Sequence, residues 1–250
     1  MLQLWLLGLD DPRLAGMEAQ ACDWLEESDR ALMRQRKGDA ARRFLFGRWL
    51  MRRALGKLSG LSPQELVFTL APNGRPECEA ARERGLVFNL SHAGNRLVVA
   101  VARAAAIGVD VEERRRAAQA LRIARTFFSE PEQHNLAGLP EEQAQAAALR
   151  LWTVRESLVK AVDGTVWDGM KGVSLDPGGS RMALDGLKRR AANAEGWQAA
   201  AGLLGASHCL ALALAVGGCE TDWLRYPVPV VDPLEGTPRD HWMPELVWQA

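Results

Sequence analysis

The chain predicts an α+β fold of two similar α/β halves forming a pseudo-dimer, with a Pro- and Trp-rich C-terminal strap. Three observations carry this. Short apolar stretches of strand length recur at 2–9, 86–90, 97–103, 107–112, 196–204 and 208–216, the last alternating strictly as HCLALALAV. Two long stretches of helical spacing, 39–58 and 141–163, lie between them. Each half therefore reads strand–helix–strand–strand, with a seam near 103–106 and no short repeat.

In order along the chain, MLQLWLLGL is a buried first strand, and 17–35 reads as a helix with Trp24, Leu25, Leu32 and Met33 toward the core. The helix at 39–58 places Phe44, Leu45, Trp49, Leu50 and Leu55 on its apolar side, leaving its arginines for the remaining surface. SGLSP is a turn, 65–70 a short strand and APNGRP a tight loop. SHAGNR reads as a turn or the opening of a short helix before the strand at 97–103. A helix at 115–128 is followed by Ser129 as N-cap with Glu132 at the third helical position. Residues 165–187 are Gly-rich and irregular. The tail holds five prolines and Trp223, Trp242 and Trp248, which argues against a regular helix or a central strand there. The expected division is 1–105, 106–218 and a 219–250 extension.

Composition bounds the function. At 250 residues, 48% hydrophobic and 25% charged, the chain is an ordinary globular protein. Its net charge of zero names no partner, yet residues 30–57 hold ten Lys or Arg against Asp39 alone, a local charge of +9. Cys22, Cys78, Cys209 and Cys219 form no CxxC pair or zinc spacing, and point to reduced thiols in a cytoplasm. The apolar start lacks a basic n-region and no apolar run reaches about 18 residues, so neither a signal peptide nor a membrane span is expected.

The chemistry centres on LRLWTVRESLVKAVDG, residues 149–164. As a helix it carries a Leu151, Val154, Leu158 and Val162 stripe, and Trp152, Glu156 and Lys160 stack on another face. Glu156 and Lys160 alone describe an exposed ion pair. IGVDVE changes the weighing, because Asp110 and Glu112 point the same way from one strand. Three carboxylates, a lysine and a basic segment suggest a metal–phosphate site, and magnesium suits such oxygen donors. Ser91-His92 is a poor catalytic dyad, since strand neighbours point to opposite sides. The pair reads equally well as a phosphate-binding hydroxyl and imidazole or as a helix cap beside a half-exposed ring. Asn73-Gly74-Arg75-Pro76 holds a guanidinium either at the same ligand or in solvent.

NGRP, FNLSHAG at 88–94, IGVDVE, FFSEPE and WTVRESLVK occur in that order. Together they resemble the 4′-phosphopantetheinyl transferase family, most of all its surfactin-synthetase-activating type, over residues of about 25 to 215. Each motif is weak alone; the ordered set is specific. The resemblance implies transfer of the phosphopantetheine arm of coenzyme A to a carrier-protein serine, releasing adenosine 3′,5′-bisphosphate. It implies Mg²⁺ on Asp110, Glu112 and Glu156, with Glu156 taking the serine proton and Lys160 neutralising phosphate charge. Arg75, Ser91, His92 and Arg43 would hold the nucleotide and its phosphates, with Arg30, Arg34 or Arg36 as further candidates. Arg155 and Lys160 would also contact the coenzyme, Arg155 keeping the charge of a position that is usually Lys. The carrier would dock on 163–187, around Trp167, Met170 and Val173 with Lys171 and Arg181, steered by Arg114, Arg115 and Arg116. A monomer with no nucleic acid or membrane partner is expected. The competing readings are a magnesium phosphohydrolase, a non-catalytic coenzyme A or nucleotide binder, and a nucleic-acid binder. The last is disfavoured because Phe44, Phe46 and Trp49 follow the apolar pattern.

Overall fold

The computed structural model describes residues 1–165, 172–184, 196–216 and 223–250. The first half runs through β1 (Leu2–Gly8), the short helices α1 (Glu18–Asp23) and α2 (Glu27–Arg34), and the long basic helix α3 (Gly38–Ser59). A small ribbon, β2 (Thr69–Leu70) and β3 (Pro76–Glu77), leads through α4 (Glu79–Arg82) to the hairpin β4 (Val87–Ala93) and β5 (Arg96–Ala102). The second half runs β6 (Ala106–Glu113), α5 (Ala117–Phe127), α6 (Glu130–Ala137), α7 (Glu141–Ala161), β7 (Ser174–Leu175), β8 (Ser180–Ala183), β9 (Gly196–Leu204) and β10 (His208–Val216). The tail adds β11 (Val228–Asp232), β12 (Thr237–Trp242) and β13 (Leu246–Gln249).

The strands form two larger sheets, ordered β12-β11-β1-β5-β4 and β6-β10-β9-β13-β8-β7. Within them β1-β5-β4 and β6-β10-β9 repeat the same antiparallel arrangement, the two-lobed design that the sequence predicts. Period-two alternation explains how both faces are used. From β5, Leu97, Val99 and Val101 pack toward α3, while Val98, Ala100 and Ala102 pack between the sheets. From β10, Leu210, Leu212 and Leu214 enter that central layer, while the small Cys209, Ala211, Ala213 and Ala215 face α7.

Several expectations need correction. The helix expected at 17–35 breaks at Trp24-Leu25: Glu26 is extended, and Arg30 Nε donates to the Leu25 carbonyl at 3.0 Å. The strand expected at 65–70 is reduced to Thr69–Leu70 behind a capped turn at Ser62–Glu65. β4 runs on through Ser91-His92-Ala93, and the turn is confined to Gly94-Asn95, with Gly94 at φ 55°. Arg48 and Arg52 of α3 are internal, because Asp29 is buried with them and the half-buried Glu26 pairs with Arg52. The tail is no surface strap. β11 lies between β1 and β12, and β13 lies between β9 and β8. Pro229 and Pro238 stand second in their strands, where a missing N–H costs little, and the apolar Val228, Val230, Val231 and Trp248 pull the segment inward.

The close approach of α7 to β6 depends on Gly108. A Cβ there would overlap the Ser157 carbonyl and stand 2.7 Å from the Ala161 nitrogen. Gly108→Ala is therefore expected to cost about 3 kcal/mol, the upper end for overpacking. A denaturant melt showing a loss under about 0.5 kcal/mol would mean that the helix slides freely on the strand.

Candidate functional site

β6 decides where the carboxylates go. Ile107, Val109 and Val111 are locked into the layer between the sheets, so Gly108, Asp110 and Glu112 must face α7. There they meet the Trp152–Glu156–Lys160 face of the helix. Lys160 Nζ donates to Asp110 Oδ1 at 2.6 Å and to Ser91 Oγ at 3.0 Å, and Ser91 Oγ donates to Asp110 Oδ1 at 2.9 Å. Trp152 Nε1 donates to Glu112 Oε1 at 3.2 Å, and Arg116 Nη1 contacts both Glu112 oxygens.

The electrostatics follow from burial and crowding. Burial, then the Asp110 charge, pushes the Glu156 carboxyl up to about 7 against the opposing pull of Lys160. Burial and Asp110 also raise Glu112 above the ordinary carboxylate range, while Arg116 and Trp152 pull it down. Burial, then the charges of Arg43 and Lys160, lowers the His92 imidazole, so it is neutral at pH 7.

Among the described residues no three His, Cys, Asp or Glu side chains are grouped tightly enough to hold a metal as they stand. Their chemistry still fits a hard divalent ion. All three candidates are carboxylates, and Asp110 Oδ2 is buried with no hydrogen-bond partner. Lys160 occupies Asp110 Oδ1 and Arg116 both Glu112 oxygens with charges of the chain's own.

The FNLSH segment does different work at successive residues. β4 and β6 are the facing edges of the two sheets, and side chains replace a backbone ladder between them. Asn89 Oδ1 accepts from Val109 N–H at 3.1 Å and Ser91 Oγ accepts from Val111 N–H at 3.3 Å. Ser91 is thus a buried stitch beside Asp110 rather than an open phosphate ligand. The alternation of Asn89 and Ser91 in an otherwise apolar strand is the signal that would have identified Asn89. His92 points the other way, into a cavity of about 530 Å³ that Arg36, Arg43, Arg48 and Phe44 also line. A second cavity of about 550 Å³ contains Arg75, Glu156 and Lys160. Gly74, Pro76 and Leu90 border both, so the two form one groove.

The structure separates the remaining candidates. Arg43 Nη1 donates to the Gly94 carbonyl at 3.1 Å and stays half-buried at the groove. Of Arg30, Arg34 and Arg36, only Arg36 lines it; Arg34 pairs with Glu27. Arg75 ties the loop to α7, donating to Asp163 Oδ1 at 2.9 Å and to the Lys160 and Phe88 carbonyls. Arg155 is not at the groove. One residue before Glu156, it is turned about 100° around the helix into the core, where Nη2 meets both Glu132 oxygens at 2.6 Å. The arginines expected to steer a carrier are largely engaged: Arg115 pairs with Glu113, Arg116 with Glu112, and Arg114 donates to the Ala206 carbonyl. Trp167, Met170 and Lys171 lie outside the described residues. Val173 is buried in the core, which removes it from the expected docking surface, whereas Arg181 is exposed. No helix of the described residues is long and apolar enough to cross a membrane.

Comparison with known proteins covers both halves. A family model described as 4′-phosphopantetheinyl transferase superfamily matches residues 106–213, and one described as 4′-phosphopantetheinyl transferase, N-terminal, matches 17–104. A Synechocystis protein that carries a provisional 4′-phosphopantetheinyl transferase name is 32% identical over 174 residues, 70% of each chain. The 4′-phosphopantetheinyl transferase HetI of Nostoc is 33% identical over 164 residues, covering 64% of this chain and 68% of its own. The 4′-phosphopantetheinyl transferase psf-1 of Bacillus pumilus is 31% identical over 146 residues, 58% of each.

Proposed function

The chain belongs to the 4′-phosphopantetheinyl transferase superfamily, and from this premise we propose that it moves the phosphopantetheine arm of coenzyme A to a serine of an apo carrier protein. The observation that carries the reading is the groove. It is basic at one end, where Arg36 and Arg43 stand beside the neutral His92, and passes Pro76 and Leu90 to reach Glu156 and Lys160 at the other. Coenzyme A suits it, being an extended molecule with a phosphorylated nucleotide at one end and a pyrophosphate part way along.

In the proposed reaction the serine oxygen attacks the phosphorus that bears pantetheine. The bond from that phosphorus to the bridging pyrophosphate oxygen breaks, and adenosine 3′,5′-bisphosphate leaves. Glu156 accepts the serine proton; its carboxyl sits near 7, within reach of both protonation states at neutral pH. Lys160, anchored on Asp110 and Ser91, neutralises charge on the phosphates. Asp110, Glu112 and Glu156 would hold a magnesium ion, which supplies Lewis-acid neutralisation of the pyrophosphate when bound.

Incubation with coenzyme A, Mg²⁺ and an apo carrier tests this by mass spectrometry. A carrier heavier by one phosphopantetheine is the expected product. Release of inorganic phosphate without a carrier shift would instead mark a phosphohydrolase, and neither change would mark a binder.

The basic end makes its own prediction. Arg43→Ala and His92→Ala are expected to weaken coenzyme A binding by about tenfold or more, as for loss of a hydrogen bond to a charged group. Binding of dephospho-coenzyme A should fall less, as calorimetry can show. Arg75→Ala should weaken both ligands equally, because it loses its ties to Asp163 and Phe88. Equal losses at Arg43 would remove it from the phosphate.

A further inference from the structure

Glu112 is held by two partners at once. Both of its oxygens accept from Arg116 Nη1, at 2.8 and 2.7 Å, and Oε1 also accepts from Trp152 Nε1. Arg116 stands at the N-cap of α5, four residues on from Glu112, and among the described residues Glu112 is its one acceptor. The other strand carboxylate is matched differently. Asp110 takes Lys160 and Ser91 on Oδ1 and keeps Oδ2 without a partner. One strand carboxylate is therefore open on one oxygen, while the other has both oxygens on a cation of the chain itself.

We propose that Arg116 is a positioning residue that competes with a divalent cation for Glu112, and holds that carboxylate out of the metal-binding arrangement until the cation displaces it. The inference rests on the transferase reading above. A guanidinium donating to both oxygens and a metal drawing on the same oxygens compete for the same lone pairs. Trp152 needs only one lone pair of Oε1 and can stay bonded in either arrangement. The Arg116 side chain is 44% exposed, so it can swing into solvent without opening a cavity, whereas the Glu112 side chain is 11% exposed and stays inside. The exposure also sets the strength of the competition, which is that of a half-exposed ion pair and not of a buried one.

The test titrates Mn²⁺ into the full chain without coenzyme A and follows free Mn²⁺ by electron paramagnetic resonance. Arg116→Gln is expected to bind Mn²⁺ more tightly than the unmodified chain by up to about fivefold, the upper end of what such an ion pair contributes. Arg116→Lys keeps the charge on a compact, more strongly hydrated ammonium with a different reach. It should fall between the two, and decides the matter if Arg116→Gln melts early. In a Glu112→Gln background, Arg116→Gln should leave the affinity unchanged. Equal or weaker Mn²⁺ binding by a folded Arg116→Gln overturns the proposal while the carrier mass shift still stands for the transferase reading. Failure of the unmodified chain to bind Mn²⁺ overturns the proposal together with its metal premise.

Discussion

Glu156→Ala is expected to lower phosphopantetheine transfer by about 10²- to 10⁴-fold, the range for loss of a positioned proton acceptor, without unfolding the protein. Asp110→Ala should do comparable damage by a second route. It removes the 2.6 Å partner of Lys160 and one of the oxygens proposed for a cation, so the ammonium proposed to meet the phosphates loses its anchor. Glu156→Ala opens no core cavity, whereas Asp110 is only 4% exposed, so its truncation is expected to cost some stability as well. Glu156 is only half-buried, and burial together with the Asp110 and Glu112 charges already disfavours its ionised form. Taking one carboxylate out of three relieves repulsion. The measurement is carrier modification at saturating Mg²⁺ and coenzyme A, with thermal melts alongside. Normal turnover in either variant would remove that residue from the site. A collapsed melting point would mean that the residue is structural first.

Glu132→Ala is expected to destabilise the second half by about 3–5 kcal/mol, as for a buried ion pair deprived of one partner. Glu132 is fully buried and Arg155 only 1% exposed. The carboxylate accepts both 2.6 Å contacts from Arg155, the Ser129 N–H and hydroxyl of its own capping box, and the Leu175 N–H at 3.2 Å. The guanidinium lies 3.8 Å from the centre of the Phe128 ring. Removing Glu132 strands a cation that burial already pulls below its ordinary value. It also frees the N-terminus of α6 and the start of β7. The thermal midpoint should fall on the order of 10 °C. Glu132→Met with Arg155→Met, which replaces the pair by apolar volume, should recover much of the loss. A shift of under about 2 °C for the single variant would show that water reaches the stranded arginine. Because the pair faces away from the groove, coenzyme A affinity of the protein that remains folded should not change.

These two predictions mark the boundary between local and tertiary information. Alternation in IGVDVE sets Asp110 and Glu112 on one side of a strand, and a spacing of four sets Trp152, Glu156 and Lys160 on one face of a helix. The Ser129–Glu132 capping box, α3, α7 and the β9–β10 hairpin are equally local. Each follows from backbone periodicity and capping chemistry within a few residues, which a single stretch of sequence contains in full. The ordered motifs then named the family.

Partner choice needed the folded chain. Arg48, Arg52 and Arg155 read as surface or ligand charges because a charged residue is normally solvated; only the buried carboxylates of Asp29 and Glu132, with the half-buried Glu26 beside Arg52, make an internal cation tolerable. Asn89 and Ser91 join the halves only because two sheet edges, β4 and β6, meet there with unpaired N–H groups. The tail shows the limit most clearly. Val230 and Val231 pair with Leu4 and Trp5 of β1, at the other end of the sequence, and Trp248 pairs with Ala199 and Ser180. The propensity of a Pro-rich segment opposes a strand, yet burying its valines and Trp248 between strands already in place stabilises it more than local preference disfavours it. Period and capping are properties of neighbouring residues. Burial, and the pairing of edges and charges, depend on what lies across the space, and that is set only when distant segments come together.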